Sequence, residues 1–187
     1  RRGKRVFVIT FIDANNTKAK LIYKPRGFGM DIAYHKFLDW YNSKKQDSNT
    51  QALKSFKVID KEDHGWSEFV THKGVDNTKQ LDDFYYSLGE ILCLMYMLGG
   101  LDLHHENLIA HGSNPMVIDL ECLLTPELGN LSHSIKRHVG ESLLLPNKSQ
   151  VTKDFAGIDI SGMGGEGKQR ARYKRTNWAE AGTDNMH

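Results

Sequence analysis

Residues 99–121 constrain the fold most, because two acidic segments there flank two short apolar runs. Asp102 is followed five positions later by Asn107, and Asp119 comes twelve positions after that. Transfer of a phosphoryl group from a nucleotide needs a carboxylate at the acceptor hydroxyl, with an amide and a second carboxylate holding magnesium on the phosphates. The spacing therefore predicts a phosphoryl-transfer site.

The two apolar runs, residues 108–110 and 116–118, are typical of short strands. The polar residues 111–115 between them predict a turn. Such a hairpin would bring Asn107 and Asp119 together at its open end, where an amide and a carboxylate suit a shared metal ion.

Protein kinases carry a loop spaced Asp-x-x-x-x-Asn and a later Asp on a neighbouring hairpin. Here an apolar stripe at helical spacing over residues 81–98, ended by a Gly-Gly pair, leads into the loop. Asp82 and Asp83 fall where the first turn of this helix is expected. We therefore predict an α+β, kinase-like catalytic core that is incomplete, with a small antiparallel sheet lobe over residues 1–70 and a mainly helical lobe over residues 71–187.

Upstream, residues 5–12 and 19–24 predict a β-hairpin that Pro25 ends. Lys24 is then either a solvated edge-strand lysine or the strand lysine that grips nucleotide phosphates. The second interpretation is favoured once the downstream loop is considered. No Gly-x-Gly-x-x-Gly loop precedes Lys24, so the residues that cover the phosphates must come from elsewhere in the chain or from sequence that is missing here.

Between lysine and loop, residues 30–42 predict an amphipathic helix. Its Asp31 and Asp39 are candidate partners for the lysine, although a solvated helix face is the favoured interpretation of both. Residues 55–60 predict a further strand, and residues 65–70 a strand that runs into a connector. The aromatic residues of that last strand could lie along an adenine ring or form plain core.

The C-terminal third is less regular. Residues 123–145 mix helical and loop character, and the glycine-rich residues 159–167 are expected to be mobile. The basic run 168–175 is either a solvated face or a contact for phosphate or an acidic peptide.

The loop has two alternative interpretations. Asp102, His104, His105 and Glu106 could bind zinc, although zinc sites usually take helix-spaced or hairpin-spaced histidines. They could also form a buried polar loop whose hydrogen bonds are all satisfied, but so many ionisable groups in one short loop point to function.

Composition limits the functional classes. With 39% hydrophobic and 26% charged residues the chain is globular, and its formal charge of +2 does not suggest a nucleic-acid partner. The longest apolar run, residues 91–98, is too short to cross a bilayer. Two cysteines without metal-type spacing fit a reducing, cytoplasmic location. The chain starts without methionine, so we expect a fragment of a larger protein.

Four motifs resemble the dehydratase domain of class II lanthipeptide synthetases, the LanM-type lantibiotic-modifying enzymes. They are YKPR at residues 23–26, GWSEF at 65–69, GLDLHHENLIA at 100–110 and PMVIDLE at 115–121. The resemblance runs from about residue 1 to residue 124, and a weaker similarity follows at residues 177–186. The two central motifs are the specific ones.

The resemblance implies a lipid-kinase-like core that uses ATP and Mg²⁺. Such an enzyme phosphorylates Ser and Thr of a ribosomally made precursor peptide and then eliminates phosphate to leave dehydrated residues. It also implies that the leader-core precursor peptide is the partner. The rest of the dehydratase domain and a zinc cyclase domain would lie outside this chain.

The resemblance further implies roles for individual residues. Lys24 would bind nucleotide phosphate. Asp102 would be the base or the carboxylate that orients the acceptor hydroxyl, and His104 would lie beside it in the loop. Magnesium would be bound by Asn107, Asp119 and Glu121. Thr183 would take part in elimination. The family often has Arg where this chain has Asn177, so either Arg175 substitutes or elimination is impaired.

The sequence also allows two functions other than peptide dehydration. A small-molecule phosphotransferase would share the Asp/Asn/Asp set but would not eliminate phosphate from a peptide. A catalytically incompetent fragment that binds precursor peptide is favoured by the missing glycine-rich loop and by Asn177. Nucleotide binding with and without magnesium separates the second rival from an enzyme.

Overall fold

The computed structural model describes residues 5–46, 50–124, 139–146 and 160–164, and its architecture is α+β. A four-stranded antiparallel sheet has the order β1-β2-β4-β3. Its strands are β1 (Phe7–Ile12), β2 (Lys18–Lys24), β3 (Val58–Asp60) and β4 (Gly65–Glu68). The other elements are α1 (Gly29–Lys44), α2 (Thr78–Met97), the two-stranded sheet of β5 (Leu108–His111) and β6 (Asn114–Val117), and a 3₁₀ turn (Val139–Ser142).

The first hairpin forms where the sequence predicts it. The Asp13 carboxylate accepts hydrogen bonds from the backbone N–H groups of Asn15 and Thr17, at 2.9 and 2.7 Å, which closes the turn between β1 and β2. Strand β1 is an edge strand, and its Phe7, Val8, Phe11 and Ile12 side chains are each more than half exposed. Strand β2 lies inside the sheet, so Lys24 does not sit on an edge strand.

The amphipathic helix predicted over residues 30–42 is confirmed as α1, and its Met30, Phe37 and Tyr41 side chains are partly buried against the core. Its buried residues are Asp31, Tyr34 and Leu38, whereas Trp40 is 55% exposed. The prediction that Asp31 is solvated is wrong, because its side chain is 0% exposed and pairs with an arginine described below. Asp39 is exposed, as predicted. The strand predicted from residue 55 begins only at residue 58.

The hydrophobic core lies between the two helices and beneath the acidic loop. Leu38 of α1 packs in one cluster with Leu88, Ile91, Leu94 and Met95 of α2, and with Leu103, Val117, Leu120, Leu123 and Leu144. Burial of each large apolar side chain stabilises the fold by about 1.5–3 kcal/mol. Residues on both sides of the acidic loop are therefore anchored to α2.

Both ends of α2 are capped by backbone and side-chain hydrogen bonds. Asn77 is the N-cap and accepts from the backbone N–H of Gln80 at 2.9 Å. Because the helix begins at Thr78, Asp82 and Asp83 lie beyond its first turn, and their predicted place in that turn is wrong.

The Gly99-Gly100 pair ends α2 as predicted, and a different physical constraint favours glycine at each of the two positions. Gly99 has φ +60°, the left-handed conformation that glycine adopts freely. Its N–H and that of Gly100 donate to the carbonyls of Tyr96 and Met95, which is a Schellman motif. A Cβ on Gly100 would lie 2.7 Å from the Met95 sulfur. The chain therefore turns sharply and leaves the helix in a fixed direction.

Five residues of the glycine-rich segment are anchored, so the prediction of mobility is wrong for them. The N–H groups of Gly162 and Met163 donate to the carbonyls of Leu143 and Leu144 at 2.8 and 2.9 Å. The rest of that segment, the basic run 168–175 and most of residues 123–145 lie outside the described residues. Across the described residues, no helix is both long enough and apolar enough to span a bilayer.

Candidate active site

The acidic loop is held by backbone hydrogen bonds on both sides. The N–H of Leu101 donates to the carbonyl of Cys122 at 3.2 Å, and the N–H of Leu103 donates to that of Ser142 at 2.8 Å. Asp102 between them has φ +68°, a left-handed conformation that Asp tolerates better than most residues. A non-glycine residue in this region stores strain, and such residues cluster at functional sites.

Asn107 closes the loop onto Asp102. Its side-chain Nδ2 donates to the Asp102 carbonyl at 2.8 Å and lies 3.5 Å from the carboxylate Oδ2. Because Nδ2 faces these acceptors, Oδ1 is the Asn107 atom with which the side chain can ligate a cation. This contact joins the predicted base to the predicted metal ligand.

The predicted hairpin is confirmed, with a tighter turn. Register pairs Leu108 with Val117, and the N–H of Ile118 donates to the carbonyl of Asn107 at 3.0 Å. Asn107 thus lies opposite Ile118 at the open end, and Asp119 follows directly. The turn contains only residues 112–113, with Gly112 at φ +61°, because residues 111, 114 and 115 belong to the strands.

Lys24 reaches this open end from the other sheet. Its Nζ lies 3.3 Å from Oδ2 of Asp119 and donates to the carbonyl of Ile118 at 3.1 Å. The Lys24 side chain is 12% exposed, so its interpretation as a solvated lysine is wrong. Strand β2 therefore brings a cation to the carboxylate that the sequence assigns to metal binding.

Arg26 is a functional candidate that sequence reasoning missed. Its NH2 lies 2.5 Å from Oδ1 of Asp119, its NH1 lies 3.0 Å from Oδ2 of Asp31, and its Nε lies 3.5 Å from Oε2 of Glu121. The guanidinium also stacks over the Phe28 ring, 5.2 Å from its centroid. The YKPR motif contains Arg26, but nothing local in that motif indicates which acids it would contact.

His104 is oriented by two neighbours in the loop. The N–H of Glu106 donates to His104 Nδ1 at 3.1 Å, so the proton of the neutral ring resides on Nε2. That Nε2 lies 3.6 Å from Oδ1 of Asp102. On the other side, His104 forms an isolated antiparallel bridge with Ser161. The histidine can therefore present an N–H towards the Asp102 carboxylate.

The charges of the site affect neighbouring groups. Partial burial and then the charges of Asp102, Glu121 and Asp119 raise the pKa of the Cys122 thiol. Partial burial alone would lower the pKa of Arg26, but hydrogen bonds and charge contacts with Asp31 and Asp119 outweigh it and raise that pKa. The site is thus rich in carboxylate charge, which favours a cation.

The zinc interpretation can be compared with the donor atoms that the site presents. Across the described ranges, no group of three or more His, Cys, Asp or Glu side chains is arranged to hold a metal ion, so the zinc interpretation gains no support. Zinc sites need three or four protein ligands. Magnesium is commonly held by one or two carboxylates and completed by substrate phosphates and water, and Asp119 and Asn107 are oxygen donors of the type that it takes.

Most of the predicted residues converge, and the remainder fall outside the described chain. The Glu121 side chain is 60% exposed and lies 3.5 Å from Nε of Arg26. Thr183, Asn177 and Arg175 lie outside the described residues.

The profile of the family described as "Domain of unknown function (DUF4135)" matches residues 1–187. The chain belongs to this family, which is the LanM-type lanthipeptide synthetase domain. A similar protein is the "Lacticin 481/lactococcin biosynthesis protein LcnDR2" of Lactococcus lactis subsp. lactis, 32% identical over 145 residues and 75% of this chain. The chain spans about 15% of the length of that relative. The resemblance stated from the motifs is therefore confirmed.

Proposed function

We propose that this chain is a catalytic part of a lanthipeptide dehydratase with a lipid-kinase-like core. It would use ATP and Mg²⁺ to phosphorylate Ser and Thr of a precursor peptide and would then eliminate phosphate. Membership of the LanM-type family supports a role in lanthipeptide modification. The observation that carries the mechanism is that Lys24 of β2 contacts Asp119 at the open end of the hairpin, where Asn107 closes the acidic loop onto Asp102.

Lys24 would hold nucleotide phosphate. An ammonium group has three N–H donors. Lys24 donates one to the Ile118 carbonyl, and its Nζ lies 3.3 Å from Asp119 Oδ2, which leaves donor capacity for a phosphate oxygen. Its low exposure strengthens that contact, since less water competes for the charge.

Asp102 would accept the proton of the Ser or Thr hydroxyl, or orient that hydroxyl. Its backbone carbonyl is tied to Asn107, and the His104 ring faces one carboxylate oxygen. These two contacts restrict where the carboxylate can point, and phosphoryl transfer depends mostly on such positioning. Asn107 and Asp119 would hold Mg²⁺, which neutralises charge on the phosphates.

Elimination follows from the same chemistry. Phosphorylation converts a poor leaving group into phosphate, a base removes the α-proton, and cations stabilise the departing anion. Thr183 is our candidate residue for this step. A zinc cyclase domain elsewhere in the synthetase would then use the dehydrated peptide.

The test uses the full-length protein, its precursor peptide, ATP and Mg²⁺, with products followed by mass spectrometry. Asp102→Asn keeps a side chain that tolerates positive φ, so we expect an intact fold and no phosphorylated or dehydrated peptide. Glu106→Gln is the matched control, because Glu106 is exposed on the same loop. Phosphorylation by Asp102→Asn at the wild-type rate would refute the role of Asp102.

A second variant separates the two steps. Thr183→Ala is expected to phosphorylate the peptide and to accumulate phosphopeptide without dehydration. Normal dehydration would remove Thr183 from the mechanism. Phosphorylation of a small molecule but not of any peptide would indicate the rival phosphotransferase. Binding of the precursor peptide with neither nucleotide binding nor turnover would indicate the incompetent fragment.

A further inference from the structure

We propose that Arg26 and Asp31 are positioning residues that hold the Asp119 carboxylate towards the metal ion and connect helix α1 to the metal site. This inference rests on the proposed function, because it assigns Asp119 to magnesium. It adds two residues that the motif-based assignment leaves without a role.

The hydrogen bonds of Arg26 show that its donors are directed at protein groups. NH1 donates to the Gly27 carbonyl at 2.8 Å and to Asp31 Oδ2 at 3.0 Å. NH2 donates to Asp119 Oδ1, and Nε faces Glu121. Three of the five guanidinium N–H groups therefore donate to protein acceptors, and Nε lies 3.5 Å from Glu121. Arg26 is thus better suited to orient Asp119 than to bind phosphate.

Asp31 explains why Arg26 stays in this position. Its side chain is 0% exposed, and a buried carboxylate is costly unless a cation compensates it. Arg26 is that cation, at 3.0 Å. Asp31 lies in the first turn of α1, where the helix dipole also favours a negative charge. A movement of α1 would therefore move the arginine with it.

In this structure two cations, Lys24 and Arg26, share the contacts with acids that a single lysine makes in protein kinases. In protein kinases the strand lysine pairs with a helix glutamate. Here the helix acid Asp31 pairs with Arg26, while Lys24 contacts Asp119 directly. Each oxygen of Asp119 faces a different cation, Oδ2 facing Lys24 and Oδ1 facing Arg26. Arg26 thus fixes the rotation of the carboxylate.

Arg26→Lys and Asp31→Asn test this proposal in the full-length protein. Lysine retains the charge but lacks the planar fork that spans Asp31 and Asp119. Asparagine retains the shape of Asp31 but not its charge. We expect both variants to bind Mn²⁺, a spectroscopic substitute for Mg²⁺, about tenfold more weakly in an electron paramagnetic resonance titration. We also expect them to require more Mg²⁺ for half-maximal phosphorylation and to have a lower kcat.

Lys45→Met is the matched control. Lys45 follows the last residue of α1 and pairs with Glu90 of α2 at 2.9 Å. Both side chains are nearly buried, so the change removes an ion pair of similar burial that includes none of the proposed metal ligands. It should lower the melting temperature without changing Mn²⁺ affinity.

The outcomes distinguish this inference from the proposed function. Arg26→Lys and Asp31→Asn with Mn²⁺ affinity and Mg²⁺ requirement within about twofold of wild type would overturn the positioning role. The positioning role would also be overturned if Lys45→Met lost Mn²⁺ affinity to the same extent as it lost thermal stability, because the weaker binding would then follow from general destabilisation. A wild-type protein that binds Mn²⁺ but never phosphorylates peptide would refute the proposed function, and the titration would still decide the roles of Arg26 and Asp31.

Discussion

Replacing Lys24 by methionine should affect catalysis far more than folding. Methionine retains most of the methylene stem, which packs where the side chain is 12% exposed. The variant loses one hydrogen bond of 3.1 Å to the Ile118 carbonyl and one charge contact of 3.3 Å to Asp119. Asp119 retains Arg26, so no carboxylate is left without a cation.

The expected magnitudes differ for the two properties. One hydrogen bond and one partly exposed ion pair together contribute about 1–2 kcal/mol to the free energy of unfolding. Loss of one charged donor from the transferring phosphoryl group raises the barrier by about 3–4 kcal/mol, which is roughly a 10²–10³-fold loss of rate. The rate should therefore fall under conditions in which the protein remains folded.

The assay measures kcat/KM for peptide phosphorylation by mass spectrometry, with thermal unfolding measured in parallel. Lys20→Met is the matched control. Lys20 lies four residues earlier on β2, on the same face of the sheet, and its Nζ is 5.1 Å from the Phe69 ring centroid. We expect the control to retain near wild-type kcat/KM. A Lys24→Met rate within about threefold of wild type would refute the phosphate-binding role.

The remaining predictions concern the loop support, a histidine and the cysteines. Gly162→Ala should slow phosphorylation, because a Cβ there would lie 2.4 Å from the carbonyl oxygen of Leu103 in the acidic loop. His35→Gln should reduce the loss of stability in acid. Burial lowers the pKa of His35 despite the nearby acids, so the unfolded chain takes up the proton first and stability falls as pH drops below about 6.5. Iodoacetamide should alkylate exposed Cys93 before Cys122, because burial and nearby carboxylates raise the pKa of the Cys122 thiol.

Each of these three predictions has a control and a contrary result. Gly74→Ala is the control for Gly162→Ala, since nothing lies within 4 Å of its Cβ, and equal rates in both variants would show that the loop tolerates the clash. For His35, thermal unfolding is measured at about pH 7.5 and 5.5, and identical slopes in wild type and variant would contradict the argument. For the cysteines, peptide mapping at short reaction times is decisive, and faster labelling of Cys122 would contradict the expected order.

The local patterns were the most predictable part of this structure. The Gly-Gly helix end and both hairpins follow from turn chemistry and strand propensity within a few residues. The spacing of Asn107 and Asp119 places them near each other because a short hairpin brings its two ends together. The contact between Lys24 and that hairpin could be predicted only by comparison with protein kinases, because the two are far apart in sequence.

The parts that could not be predicted depend on distant partners. Asp31 looked solvated because a lone helix acid usually is, and its burial depends on Arg26 and on how α1 packs. The segment around Gly162 looked mobile from its glycines, whereas it is held by hydrogen bonds to Leu143 and by close contact with the loop.

The exposed edge strand β1 has a practical consequence for work on this chain. Within the described part of the chain its outer side pairs with no other strand, and apolar side chains are exposed on both faces of the sheet. Such an edge is a template for pairing with another copy and for aggregation. A lysine in place of Phe11, far from the catalytic end of β2, should therefore increase the yield of monomeric protein when residues 1–187 are expressed alone.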